Sequence, residues 1–121
     1  MKICVTSQGK DLDAKVDPRF GRCRYFVFVD MDTLEFECVE NSNMQSSGGA
    51  GIKSAQLVAA KGVKAVVTGN VGPNAYQTLG AAGIGIFVGA SGTIKDAIGE
   101  YKTGGLQTAS GPSVGSKSGM P

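Results

Sequence analysis

Two stretches within the first forty residues alternate apolar and polar side chains with the period of a β-strand. The alternation in KICVTS predicts a strand within residues 1–7, and the charged, proline-containing stretch 8–18 predicts a loop. The apolar run YFVFVD predicts a second strand at 25–30. A turn rich in Asp and Thr then leads into LEFECVE at 34–40, which predicts a third strand paired with the second. These strands are expected to form the antiparallel or mixed edge of a sheet.

The period changes to that of a helix after Asn43. Apolar spacing from Ile52 to Ala60 predicts a first helix, and Gly62 is placed to end it. The strand VKAVVTG follows, then a helix with a proline near its start, the strand IGIFVG, and a last helix for which Thr93 is a plausible cap. This rhythm predicts parallel strands with right-handed crossovers. We therefore predict an α/β fold with a mixed five-stranded sheet and about three helices.

The composition shifts after the last predicted helix. Residues 103–121 are mostly Gly, Ser, Thr and Pro, and such a segment buries too little apolar surface to offset its ordering entropy. We therefore predict one domain at residues 1–102 and a flexible tail at 103–121.

The chain of 121 residues has a formal net charge of +2, which is too small to favour nucleic-acid binding by bulk electrostatics. No apolar run approaches the roughly 20 residues of a membrane span, and no signal peptide precedes the first strand. The three cysteines form no CxxC pair, which argues against a disulfide framework, and Cys4 and Cys38 lie in apolar, strand-like contexts. We expect a cytoplasmic monomer.

Histidine is absent, which removes the usual general base and the commonest transition-metal ligand. The aspartates of the predicted loops and turns are expected to be solvated, with a metal or acid–base role as the alternative; they are Asp11, Asp13, Asp17, Asp30 and Asp32. A nuclease site needs acids that project from strand centres, and the first strand offers none. The sequence therefore disfavours a hydrolase or nuclease.

Two features remain that suggest binding of an anion. Three arginines and a cysteine surround the turn in VDPRFGRCRYFVFVD, and three glycine-rich turns each lead into a predicted helix. In a parallel sheet such turns gather at the carboxyl ends of the strands, where helix N-termini favour anions. None of the three turns matches a Walker or dinucleotide-binding motif, so each taken singly is also compatible with an ordinary connection.

These residues carry a family resemblance. DPRFGRCRYFVFVD, the Asn-Ser-Asn turn that follows the hairpin, and GAGIKSAQLVAAKGVKAVVTGNVGPNAYQTLGAAGIGIF resemble the nitrogenase iron-molybdenum cofactor biosynthesis family, which includes small cluster carriers and orange protein-like members. The resemblance covers residues 1–101. It implies a ribonuclease H-like fold and non-covalent binding of an anionic iron-molybdenum-sulfur or molybdenum-copper-sulfur cluster. It also implies a non-enzymatic carrier or scaffold that delivers its cargo to a cofactor-assembly partner protein.

The resemblance also assigns the residues of the site. Arginines would provide permanently charged donors for the cluster, Gly21 would let the backbone approach, and strand-end amides would supply the other half. Gly69 and Gly72 are expected to need positive φ or close backbone packing. The implied cofactor-binding residues are Arg19, Phe20, Gly21, Arg22, Arg24, Asn43, Gly48, Gly49, Gly69, Asn70, Gly72 and Asn74.

Two alternatives stay open at this level. Many nitrogenase-associated members carry a histidine near the phenylalanine-glycine turn, whereas this chain has none, so Cys23 is the one candidate for direct metal coordination. The alternation of strand two could instead turn Cys23 inward, with the arginines merely solvating the loop. As to function, the alternative to a cluster carrier is a regulatory or adaptor domain that binds a phosphate-containing ligand at the strand-end edge.

Overall fold

A computed structural model describes residues 1–42 and 49–112 of the chain. The described residues form six strands and three helices. The strands are β1 (Lys2–Ser7), β2 (Tyr25–Asp30), β3 (Phe36–Glu40), β4 (Ala65–Val67), β5 (Gly85–Val88) and β6 (Gln107–Thr108), and the helices are α1 (Ala50–Ala60), α2 (Pro73–Ala81) and α3 (Ile94–Thr103). Each of the five predicted strands and three predicted helices is confirmed to within a few residues.

The strands form one mixed sheet in the order β3-β2-β1-β4-β5-β6. The pairs β1–β2 and β2–β3 are antiparallel, while β4 is parallel to both β1 and β5. The β2–β3 hairpin and the parallel pairing of β4 with β5 agree with the sequence prediction. The carboxyl ends of β1, β4 and β5 therefore lie at one edge of the sheet, together with the start of β2. Connections that leave this edge can build a binding site.

Alternate residues of the central strands enter two separate cores, because successive side chains of a strand point to opposite faces. Cys4, Phe28 and Val66 lie on the face that α1 and α2 cover. Val5 and Val67 lie on the opposite face, which α3 covers through side chains such as Ile94. The result is a three-layer α/β/α arrangement whose sheet is buried on both sides at its centre.

The number of strands differs from the prediction of five. β6 pairs antiparallel with β5 inside the segment that we assigned to a tail, and Leu106 just before it is buried. Two strand residues and one apolar side chain are too weak a pattern to stand out in a Gly/Ser-rich stretch. The sheet is therefore six-stranded, while the mobility of 103–121 as a whole stays a prediction, as does the ribonuclease H-like name of the fold.

No helix in the parts of the chain that the structure describes is both long and apolar enough to cross a bilayer.

Candidate functional site

The arginine-rich turn is attached to the carboxyl ends of β1 and β4. Asp17 donates its backbone N–H to the carbonyl of Thr6 at 2.9 Å, at the end of β1. One residue further, Asn70 donates to the carbonyl of Pro18 at 2.8 Å, and its own carbonyl accepts the N–H of Phe20 at 3.3 Å. This bridge brings Arg19 and Asn70 side by side. The structure thus joins two of the stretches that the sequence analysis placed in one site.

Asp17 is not the solvated acid that we expected from its loop position. The residue is only 1% exposed, and its Oδ1 accepts the backbone N–H of Arg19 at 3.0 Å and lies 3.5 Å from Nε of the same residue. The Arg19 side chain remains 33% exposed. A buried carboxylate that is paired in this way orients the guanidinium while leaving part of it open to solvent. The prediction failed because the chain folds back over Asp17 to join the strand ends.

The turn is anchored in the core by Phe20 and packed tightly at Gly21. The Phe20 ring is 2% exposed and lies 5.8 Å from the ring of Phe26, so it faces the interior. A Cβ at Gly21 would lie 3.0 Å from Cα of Gly51, in the first turn of α1. Gly21 therefore allows the arginine turn to lie directly against the start of α1. The expected approach of its backbone to a bound cluster stays a prediction.

Asn41 fastens the same turn to the end of β3, and the sequence analysis did not single it out. Its buried amide donates to the carbonyls of Cys23 at 2.9 Å and Gly21 at 3.3 Å, and its backbone N–H donates to Arg24 at 2.9 Å. Ser54 of α1 donates to the same Gly21 carbonyl at 3.5 Å. The only signal was the Asn-Ser-Asn turn, in which we chose Asn43 rather than Asn41.

Cys23 points into the core, which is the second of the two orientations that the sequence left open. Its side chain is fully buried, with the Asn41 amide 3.9 Å from Sγ. Burial raises the pKa of the Cys23 thiol far above its ordinary range, and the nearby charge of Asp17 raises it further. The thiol is therefore protonated at neutral pH, which does not favour a role as a metal ligand.

The helices α1 and α2 begin beside the arginine turn without a side-chain cap. Gly49 and Gly72 occupy their N-cap positions, and neither helix start has a hydrogen bond from a capping side chain. By contrast, α3 begins with a capping box in which Thr93 and Asp96 bond to each other's backbone N–H. Because uncapped N-terminal N–H groups carry partial positive charge, the first two helices add to the cationic character of the edge.

The two glycines of the turn after β4 differ in what they require. A Cβ at Gly69 would lie 2.7 Å from Cα and 3.0 Å from the carbonyl oxygen of Pro18, so close packing demands glycine. Gly72 has a φ of −84°, and a Cβ there would meet nothing within 4 Å. The expectation of a special backbone requirement is confirmed for Gly69 and wrong for Gly72.

The remaining predicted residues are placed as follows. Arg22 is half-buried, while Arg24 and Asn74 are exposed. Asn43 and Gly48 lie outside the described residues. Among residues 1–42 and 49–112, no group of three or more Cys, Asp or Glu side chains could hold a metal ion. The described part of this edge thus presents the arginine turn and the uncapped starts of two helices.

Removing the Asn41 amide should loosen the arginine turn. We expect Asn41→Ala to lower the free energy of unfolding by about 1–3 kcal/mol, because the Cys23 carbonyl loses the buried amide donor and the Gly21 carbonyl keeps only the longer bond from Ser54. Denaturant titration measures this loss. Ser42→Ala, a change at the exposed neighbour, is the control and should alter the stability by less than about 0.5 kcal/mol. Equal midpoints for the two variants would show that the Asn41 bonds do not hold the turn.

The described residues form an α/β protein in which an arginine-rich turn and two uncapped helix starts lie at the carboxyl ends of the strands. The model of the family described as dinitrogenase iron-molybdenum cofactor matches residues 1–104, so the chain belongs to that family. The apo form of the orange protein from Desulfovibrio gigas is 42% identical with a TM-score of 0.90, and the match covers 93% of this chain and 96% of that one.

Two further proteins are similar to this chain over most of its length. The NMR structure of a Thermotoga protein, described as a candidate NifB protein, is 36% identical with a TM-score of 0.79 and covers 88% of this chain and 91% of that one. An uncharacterised protein of Methanocaldococcus jannaschii is 32% identical over 96 residues, which are 77% of this chain and 81% of the relative. The description of the family names a cofactor, so the chain belongs to a family of cofactor-related proteins.

Proposed function

We propose that the protein binds an anionic metal–sulfur cluster, of the iron-molybdenum-sulfur or molybdenum-copper-sulfur type, and carries it to a cofactor-assembly partner without catalysing a reaction. The observation that carries the proposal is the packing of the arginine turn against the start of α1. Gly21 lies directly on Gly51 there, so the turn that bears the arginines and the uncapped helix start share one edge. Both favour negative charge.

Family membership supports this choice of cargo. The matching family model is described by the iron-molybdenum cofactor of dinitrogenase. The similar orange protein was solved in its apo form, a name that implies a bound form of that protein. A cluster whose surface is sulfide presents weak hydrogen-bond acceptors with net negative charge, and arginine matches them with several fixed N–H donors on one plane.

Different residues of the edge would contribute charge, hydrogen-bond donors and structural support to binding. Arg19, Arg22 and Arg24 supply charge, with Arg19 oriented by the buried Asp17. Backbone N–H groups near Gly49 and Gly72 supply further donors at the two helix starts. Phe20 lies in the core and contributes by holding the turn in place rather than by touching the cargo. None of these groups replaces an inorganic ligand, so the cluster could be released intact.

Anaerobic titration with tetrathiomolybdate tests the proposal. The absorbance of the anion should change on binding with a fixed stoichiometry, and affinity should fall as salt rises, because the contacts are charge-assisted and partly exposed. Metal and sulfide analysis of native, anaerobically purified protein complements the titration. Protein that carries phosphorus without metal, and that binds inorganic phosphate in preference to the thiomolybdate, would refute cluster binding and favour the phosphate-binding alternative.

Changing the buried thiol separates an electrostatic site from a coordinating one. We expect Cys23→Ser to leave the affinity for tetrathiomolybdate unchanged within about twofold, a difference of roughly 0.4 kcal/mol, because the thiol is buried and protonated. The same titration measures it, and Cys38→Ser at the half-buried thiol of β3 is the matched control. A loss of binding specific to Cys23→Ser, in protein with native unfolding behaviour, would show that Sγ coordinates the metal.

A further inference from the structure

The strand β3 forms one border of the sheet, and β2 is its only strand partner among the described residues. The Asp30 N–H donates to the Glu35 carbonyl, and the Asn41 N–H donates to the Arg24 carbonyl. In an antiparallel pair only every second residue bonds to the neighbouring strand, so these two bonds show which residues of β3 face β2. The backbone groups of Phe36, Cys38 and Glu40 consequently point away from β2. A strand border with outward N–H and C=O groups is a template on which another strand can pair.

Large apolar side chains lie exposed near one end of the same border. Met1, Leu34 and Phe36 are 48%, 46% and 42% exposed, and they are three of the four exposed large apolar side chains among the described residues. All three lie at one end of the β2–β3 hairpin, since Met1 accepts the N–H of Met31 and Phe36 is paired with Val29. On this face α3 packs against β1, and none of the helices in the described residues packs comparably on β3. The hairpin therefore leaves an apolar surface open to solvent.

The hairpin is also strongly acidic. Residues 30–40 contain five of the ten carboxylate side chains of the chain and no lysine or arginine. Two of the five have a cationic partner, Asp32 with the amino group of Met1 and Glu37 with Lys61, each at 2.8 Å. Glu35 and Glu40 are exposed. This charge disfavours antiparallel pairing of β3 with a second copy of itself, because glutamates would then approach glutamates.

We propose that β3 and the apolar patch of Met1, Leu34 and Phe36 form a docking surface for a partner protein, which adds an extended strand with alternating basic and apolar side chains. Main-chain hydrogen bonds to Phe36, Cys38 and Glu40 provide the pairing. The basic side chains meet the hairpin carboxylates, and the apolar ones cover the patch. This surface is built from the hairpin and does not involve the arginines of the cluster site.

A synthetic peptide that alternates lysine and valine over eight residues, with blocked ends, is the probe. Bound peptide should slow amide hydrogen exchange at Phe36, Cys38 and Glu40 by about tenfold or more, while the amides of β4 stay unchanged. A peptide with glutamate in place of lysine should bind at least about fivefold more weakly, and salt should weaken the lysine peptide. Protection elsewhere on the protein, or equal binding of both peptides, would overturn the proposal.

Charge reversal on the protein gives the complementary result. Glu35→Lys should weaken the lysine peptide by about fivefold or more, because strand alternation places Glu35 and Glu37 on the face opposite to Phe36, where the lysines of the peptide lie. The matched control, Asp11→Lys, makes the same charge change at an exposed loop carboxylate and should leave binding within about twofold. An equal loss for both variants would overturn the proposal. So would a dimer in sedimentation velocity that Phe36→Glu abolishes, because a second copy would then occupy the border.

Discussion

Replacing Arg22 with glutamate is expected to lower the affinity for a tetrathiomolybdate-type anion by about tenfold or more. A charge-assisted hydrogen bond is worth roughly 1.5–3 kcal/mol, and the reversed charge adds repulsion in a half-buried position. Arg22→Gln should cost less than Arg22→Glu, because it removes the attraction without repelling the anion. Anaerobic absorbance titration at constant salt measures all three proteins.

The control for this prediction is Lys64→Glu, which makes the same charge change at an exposed residue just before β4. This position lies at the end of the sheet opposite to the arginine turn, so screening should keep its effect within about twofold. The contradicting outcome is binding that responds equally to the two reversals, or to neither. The cargo would then lie elsewhere, and the arginines would form a solvated loop.

Placing serine at Gly69 is expected to lower the free energy of unfolding by about 1–3 kcal/mol, since overpacking displaces backbone rather than a flexible side chain. The new Cβ would meet Pro18 at 2.7 Å, and relief of that contact must shift the turn away from β4. The bond from Asn70 N–H to the Pro18 carbonyl, now 2.8 Å long, would then weaken. Anion affinity should fall together with the denaturant midpoint.

Gly72→Ser is the matched control for Gly69→Ser. The site has an extended backbone with open space for a side chain, and serine is a favoured N-cap residue. We expect this variant to be as stable as the parent or more stable by up to about 1 kcal/mol. A pair of variants with equal denaturant midpoints would mean that the contact between Gly69 and Pro18 relaxes at no cost.

The sequence predicted best those elements whose signals are local. Strand β2 begins and ends where YFVFVD indicated, and Thr93 caps α3 as its position before the helix suggested. The parallel pairing of β4 with β5 followed from the order of strands and helices. β6 was missed because two residues paired with β5 leave no periodic pattern.

The sequence did not predict those parts of the candidate site in which residues far apart along the chain contact each other. The burial of Asp17 follows from a turn that returns to the end of β1, and nothing in its neighbours distinguishes it from Asp11. Asn41 acts on carbonyls 18 and 20 residues earlier in the chain. Hydrogen bonds over such separations become visible only when the strands are paired.

Because Cys23 is buried, the rate at which its thiol is alkylated can report on local opening of the arginine turn. A sealed thiol reacts with an alkylating reagent only while the structure around it is transiently open, so its labelling rate reports the equilibrium between closed and open forms. Cys4, at the centre of β1, offers a reference for opening of the core, and the half-buried Cys38 offers one for easy access. Cargo bound at the turn would lower the alkylation rate of Cys23 more than that of Cys4. Mass spectrometry of the labelled peptides can therefore follow loading and release of the cargo. Tryptophan fluorescence cannot serve for this purpose, because the sequence has no tryptophan.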